Sequence, residues 1–131
     1  MNRMVRRGAG LADDPGRSAG GRNSHASQAV RQGLRNLGFE MFVEDAYASP
    51  IVTGVCRRPE FDLDEMSRWL SEERNIAIGG GLGELSGKMF RVGHLGKAST
   101  HEYLVDFLSA MEEFLRHSGI SASRGASLDW L

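Results

Sequence analysis

Apolar positions recur at helical spacing in three stretches of the chain and at strand spacing between them. In residues 24–37, Ala26, Ala29, Val30, Gly33, Leu34 and Leu37 fall on one face, with Arg31, Gln32, Arg35 and Asn36 opposite, which predicts an amphipathic helix. Ser24 is placed to cap it and Gly38 to end it in a left-handed turn. Residues 39–43 alternate enough to predict a short strand. Residues 51–56, Ile-Val-Thr-Gly-Val-Cys, are apolar and β-branched, which predicts a strand near the sheet centre, and Pro59 stops it. A second helix is expected over residues 63–73, with Asp62 and Glu65 as a capping box and Leu63, Met66, Trp69 and Leu70 turned inward. Residues 76–78 read as a short strand that enters a glycine loop, and residues 89–93 as a half-buried strand that leaves it. The most regular helix opens at Ser99, with Glu102 completing a second capping box. Leu104, Phe107, Leu108, Met111, Phe114 and Leu115 form its apolar stripe, Glu102, Asp106, Glu112, Glu113 and Arg116 its outer face, and Gly119 ends it.

Three helices and four short strands in this order predict an α+β fold of two layers, a small and mainly antiparallel sheet with helices packed on one face. The length of 131 residues suits one domain with a single modest core. Residues 1–23 carry Arg3, Arg6, Arg7, Arg17 and Arg22 among glycines and serines, with few large apolar residues. They read as a disordered, basic, glycine-rich leader. The expected domain covers residues 24–120, and residues 121–131 read as a flexible tail in which Trp130 and Leu131 either fold back or stay loose.

Sixteen basic and 17 acidic residues give a net charge of −1, so no general attraction to nucleic acid or to an anionic membrane is expected. No apolar run reaches the length of a membrane span. The single cysteine, Cys56, has no internal disulfide partner and lies in an apolar run, as a core filler in a reducing, cytoplasmic setting. The histidines, His25, His94, His101 and His117, include no i, i+4 pair, so no metal site is expected. His94 is placed just beyond Arg91, where it would border a site there or be an ordinary, partly exposed side chain. Trp69 reads as a core anchor.

The chemistry concentrates in residues 78–96. Gly79, Gly80, Gly81, Gly83 and Gly87 precede Met89-Phe90-Arg91-Val92, a flexible loop feeding a strand whose apolar run is broken by a guanidinium. A P-loop is excluded, because Leu82 stands where its first glycine belongs and Met89 follows Lys88. A dinucleotide loop is excluded because Ser86 replaces its third glycine and the loop opens a strand. Arg91 therefore has two readings. It is paired with a carboxylate of the chain itself, since buried guanidinium groups persist only when paired, or it grips a ligand anion through its planar, two-pronged donor face.

The run Gly80-Gly81-Leu82-Gly83, then Gly87-Lys88, Phe90-Arg91-Val92-Gly93 and Leu95-Gly96, resembles the C-terminal small domain of class V pyridoxal-phosphate aminotransferases of the alanine:glyoxylate and serine:glyoxylate type. The resemblance extends from about residue 24 to about residue 120. It implies that Arg91 binds the α-carboxylate of the amino-acid or 2-oxo-acid substrate. It also implies an absence, because the lysine that forms the Schiff base and the aspartate facing the pyridine nitrogen belong to the family's large N-terminal domain. The two lysines here, Lys88 and Lys97, lie in no comparable context. No catalytic residue and no bound cofactor are therefore expected of this chain alone; pyridoxal phosphate belongs to the complete enzyme.

Three expectations follow. The chain is a fragment or split part of such an enzyme, supplying Arg91 for amino transfer from alanine or serine to glyoxylate or another 2-oxo acid, inactive alone and joined to a large-domain partner. Alternatively it is a free-standing amino-acid-binding module, or a noncatalytic interaction domain. Surface that the resembled enzymes bury would favour a partner chain or self-association.

Overall fold

The computed structural model describes residues 15–129 and 131, with side chains from residue 24 onward. The elements follow in the order α1 (Pro15–Asn36), β1 (Val52–Cys56), α2 (Leu63–Arg74), β2 (Gly79–Gly80), β3 (Met89–Gly93) and α3 (His101–His117), with short 3-10 turns between them. The three strands form one antiparallel sheet in the order β1-β3-β2. Val55, Phe90 and Val92 join buried side chains from all three helices in one core, so the helices cover one face of the sheet. This is the two-layer α+β arrangement predicted from the pattern. Among the described residues no helix is long and apolar enough to cross a membrane, and no group of three or more His, Cys, Asp and Glu is arranged to hold a metal ion.

An aromatic ladder runs through the core from sheet to helices. Phe90 meets Phe39 at 5.8 Å, Phe39 meets Phe61 at 6.1 Å, Phe61 meets Phe114 at 5.1 Å and Phe114 meets Trp69 at 5.6 Å. The first three contacts are edge-to-face, the arrangement the ring quadrupole favours. Trp69 is thus the anchor its spacing predicted.

Several boundaries differ from the sequence reading, each for a local reason. α1 begins at Pro15, a residue suited to a first helical turn, so Ser24 lies inside the helix and caps nothing. Of the expected leader, residues 1–14 lie outside the described residues and residues 15–23 are helical. Residues 39–43 make a single bridge, Met41 to Val55, because the chain leaves the edge of β1 after Phe42 donates to Gly54. β3, not β1, is central. The strand expected at residues 76–78 forms instead at Gly79–Gly80, paired with Arg91 and Phe90. Thr100 caps α3 by accepting from the Tyr103 N–H, while Ser99 ends the preceding turn and donates to the Gly96 carbonyl.

Glu112, expected on the outer face, is buried. Its carboxylate accepts from Gly125 N at 2.7 Å, from Ser127 N at 3.1 Å and from the Ser127 hydroxyl. Burial alone would raise its pKa, but these bonds, with Arg116 nearby, outweigh it and hold the carboxyl below its ordinary range. The expected flexible tail is therefore docked, with Ser127 fully buried and Asn36 donating to the Ala126 carbonyl at 2.9 Å. Trp130 lies outside the described residues; Leu131 packs against the core.

Gly33 makes that docking possible. A β-carbon there would stand 2.6 Å from the Ser127 carbonyl oxygen and 2.8 Å from Leu108 Cδ2, closer than packed atoms tolerate. Gly33→Ala ordinarily gains about 1 kcal/mol in a helix. Here overpacking reverses the sign, and a net loss of about 1 to 2 kcal/mol is expected in urea unfolding; a gain would show that the tail yields freely.

Candidate functional site

Residues alternate across the sheet, so the neighbours of Phe90 and Val92 point away from the helices. Met89, Arg91 and Gly93 of β3 and Val52, Gly54 and Cys56 of β1 share this second face. Arg91 stands on the central strand directly opposite Gly54 on β1 and Gly79 on β2. Both cross-strand neighbours on its face therefore lack a side chain. A β-carbon at Gly79 would lie 3.2 Å from Arg91 Nη2 and 3.4 Å from Nε, so the guanidinium lies over that glycine. Its Nε donates to the Gly80 carbonyl at 2.9 Å.

Arg91 is exposed and enters no ion pair among the described residues. Its apparent intrusion into an apolar run is explained by strand alternation, which sends Phe90 and Val92 inward and Arg91 outward. The glycine loop contributes mainly backbone, with Gly83 and Gly87 in left-handed turns at φ 57° and 78°, which glycine accepts without strain.

Arg91 borders a cleft of about 190 Å³ whose walls include Val43, Tyr47, Val52, Met89 and Arg31. The loop carrying Val43 and Tyr47 is tied to α1 by Asp45. That carboxylate accepts from Arg31 Nε at 3.1 Å and from Arg35 at 3.0 and 2.7 Å. Hydrogen bonding from Arg35 is the main reason that the Asp45 pKa lies below its ordinary value. Arg31 falls on the polar face of the predicted helix, yet its side chain is only 13% exposed. The spacing of Ser27, Arg31 and Arg35 at i, i+4, i+8 is the signal in the sequence for this polar stripe.

Behind the cleft wall runs a buried polar chain. Arg31 donates to the Ser27 hydroxyl, Ser27 donates to the Ser49 carbonyl at 2.9 Å, and the Thr53 hydroxyl meets Ser27 at 3.5 Å and His94 Nε2 at 2.6 Å. His94, expected to be partly exposed, is fully buried. Its Nδ1 has no hydrogen-bond partner among the described residues. Burial, with the nearby Arg31 charge, lowers its pKa to about 4, so the ring is neutral at pH 7. His94 supports Thr53 from behind and does not reach the cleft. Cys56, expected as a core filler, is half-buried on the sheet face away from the helices; its thiol pKa is raised, by burial and then by Glu40, which does not suit a nucleophile.

The described residues do not fit pyridoxal phosphate as its own site. Lys88 and Lys97 are both exposed and neither lines the cleft. Asp45, the acid on the cleft-bordering loop, is already engaged by two arginines.

No protein-family model matches the chain. It is 33% identical over 115 residues to alanine–glyoxylate aminotransferase of Callithrix jacchus, covering 86% of this chain and 28% of that protein. It is 35% identical over 83 residues to the soluble hydrogenase 42 kDa subunit of Anabaena cylindrica, covering 63% of this chain and 21% of that protein. Among solved structures, ureidoglycine–glyoxylate aminotransferase from Bacillus subtilis superposes with a TM-score of 0.75 and 28% identity, over 84% of this chain and 30% of that one. The chain therefore spans between a fifth and a third of the length of these relatives. Over the part that it spans, the chain is similar to class V aminotransferases of the alanine/serine:glyoxylate type, consistent with their C-terminal small domain.

Proposed function

We propose that this domain supplies the carboxylate anchor of an aminotransferase, with Arg91 gripping the α-carboxylate of an amino acid or 2-oxo acid. The reaction served is transfer of an amino group from alanine or serine to glyoxylate or another 2-oxo acid. Pyridoxal phosphate, which carries amino groups in this family, would be held by residues of a cofactor-bearing partner domain. The observation that supports this reading most directly is the state of Arg91. Its Nε is pinned to Gly80, its guanidinium lies exposed over Gly79, and its terminal nitrogens make no hydrogen bond among the described residues. A guanidinium held by its inner nitrogen presents its outer edge in one direction, which is the positioning that carboxylate recognition needs.

Titration of the chain with pyruvate, followed at the Arg91 Nε–H resonance, is expected to show saturable binding in roughly the millimolar range. Arg91→Ala is expected to weaken it about 10- to 100-fold, the range of a hydrogen bond to a charged group. Arg91→Lys should recover only part, because a point charge replaces a fork. Pyruvate binding that is unchanged in Arg91→Ala would end the proposal.

A second reading rests on a separate observation. Phe42 and Tyr47 are exposed beside the same face at 47% and 77%, and a noncatalytic interaction domain would use them to hold a partner. That reading expects a stable complex whose affinity Arg91→Ala leaves unchanged.

A further inference from the structure

The sheet has two edges, and one of them is closed. Along β1 the outer edge is covered by the chain that follows α1. Cys56 N donates to the Glu40 carbonyl at 2.8 Å, Phe42 N donates to the Gly54 carbonyl at 3.0 Å, and Met41 bridges Val55. Along β2 no strand is paired on the outer side among the described residues. Gly81 N donates to the Met89 carbonyl, so in the alternation of an antiparallel pair the Gly80 N–H and C=O turn away from β3. The Gly80 carbonyl accepts from Arg91 Nε on that side, and the exposed Gly80 leaves its N–H directed outward.

Two features make this edge receptive. Gly79, Gly80 and Gly81 let another backbone come close, and a β-carbon at Gly80 would meet nothing within 4 Å. Beside the edge lies a groove of about 140 Å³ between β2 and α2, with Leu63, Ile78 and Phe90 as its apolar lining and Asp64, Ser67 and Ser86 as its polar lining. That volume has room for one side chain, since a dry cavity of about 150 Å³ takes up benzene.

Charge selects the occupant. Asp64 and Arg91 enter no ion pair among the described residues, and they flank the edge from opposite faces. Gly80 shares the helix-side face with its cross-strand partner Phe90, so the groove and Asp64 lie on that side. Gly79 lies beneath the Arg91 guanidinium on the other. An added strand alternates in the same way. Its residue opposite Gly80 would point into the groove, where the stem of a lysine meets apolar lining and its ammonium is drawn to Asp64. Its next residue, opposite Gly79, would stand beside Arg91, whose complement is a carboxylate. A second copy of this chain fits poorly, because joining two β2 edges would bring two Arg91 guanidinium groups together.

We infer that the β2 edge receives an extended segment of a partner chain as an added antiparallel strand, with a basic residue opposite Gly80 and an acidic one opposite Gly79. Main-chain bonds would supply affinity and the two charges specificity. The inference goes beyond the carboxylate-anchor reading and adds a consequence to it. The acid of the segment uses the terminal nitrogens which that reading gives to substrate, so segment and small acid exclude each other.

The test titrates the full chain with the capped peptide Thr-Val-Lys-Glu-Val-Thr and follows amide exchange. Saturable binding is expected, with exchange at the Gly80 N–H slowed roughly tenfold near saturation. A methyl group on the lysine amide nitrogen, which keeps both side chains but obstructs pairing, should abolish binding. Glutamine in place of glutamate should weaken it about 2- to 5-fold, the range of an exposed ion pair. In Arg91→Ala the glutamate and glutamine peptides should bind equally, and in Asp64→Asn replacing the peptide lysine by norleucine should cost nothing. Gly80 exchange that stays unchanged, or equal binding of the N-methylated peptide, would overturn the inference and leave β2 as an edge kept too short to pair. A glutamate advantage that persists in Arg91→Ala would overturn the assigned register. Pyruvate binding by the unmodified chain is a separate readout, so the anchor and the edge can fail independently.

Discussion

Phe114→Ala is expected to remove about 4 kcal/mol from the stability of the domain, near the middle of the range for truncating a buried phenylalanine. Phe114 is almost fully buried on α3 and stands between Phe61 and Trp69 at 5.1 and 5.6 Å. The loss combines burial, the cavity left behind and the edge-to-face contact. For a domain of this size, with total stability on the order of 5 to 15 kcal/mol, that is a large share. The effect should reach the site, because the same ladder continues through Phe61 and Phe39 to Phe90, whose neighbour on the strand is Arg91. Urea unfolding should show a lower midpoint with an unchanged slope. A loss below about 1 kcal/mol would mean that the ladder is not the spine of the core.

Acid is expected to cost the fold about 3 kcal/mol between pH 6.5 and pH 4, through His94 alone. The folded protein holds this ring neutral down to about pH 4, whereas the ordinary value is 6.5. Between those values the unfolded chain binds a proton that the folded chain refuses, so stability is fully present above pH 6.5 and drains as the pH falls. Protonation at Nδ1 would put a charged donor where no acceptor is found among the described residues, with Arg31 close by. Carboxylates act in a different window. Asp45 and Glu112 have lowered values, so their contribution is lost only below the ordinary carboxylate range. Unfolding at a series of pH values should therefore show two separate losses. His94→Gln should abolish the upper one, and its persistence would place the titrating group elsewhere.

The helices and the two-layer plan were legible because burial on one face imposes a period that survives in the sequence. The α3 stripe from Leu104 to Leu115 is buried as its spacing requires. Residues with special backbone needs were legible too, and Gly38 and Gly119 take positive φ where a helix must stop. Tertiary choices were not. Which strand is central depends on pairing between distant segments, and β1 has the better local composition although β3 has neighbours on both sides. Glu112 looked like any charged residue at its spacing, since the partners that justify its burial, Gly125 and Ser127, come 13 and 15 residues later. Arg91 stood out at once because a charge interrupting an apolar run demands an explanation. Its cleft did not, because Val43, Val52 and Met89 converge only after the loop at Asp45 is drawn onto α1.

The bare strip on which Arg91 rests makes its direction adjustable. With glycine at Gly79, the cation is aimed by a single bond to a main-chain carbonyl and by the room over that glycine, while Met89 and Phe42 cover Gly54 on the other side. At Gly79 an added methyl would press first on the far end of a pliant side chain, and the ladder of strand hydrogen bonds would be spared. Single-codon changes there would swivel the charge while the scaffold stays whole. A lineage could thus redirect this cation without first having to rebuild its architecture.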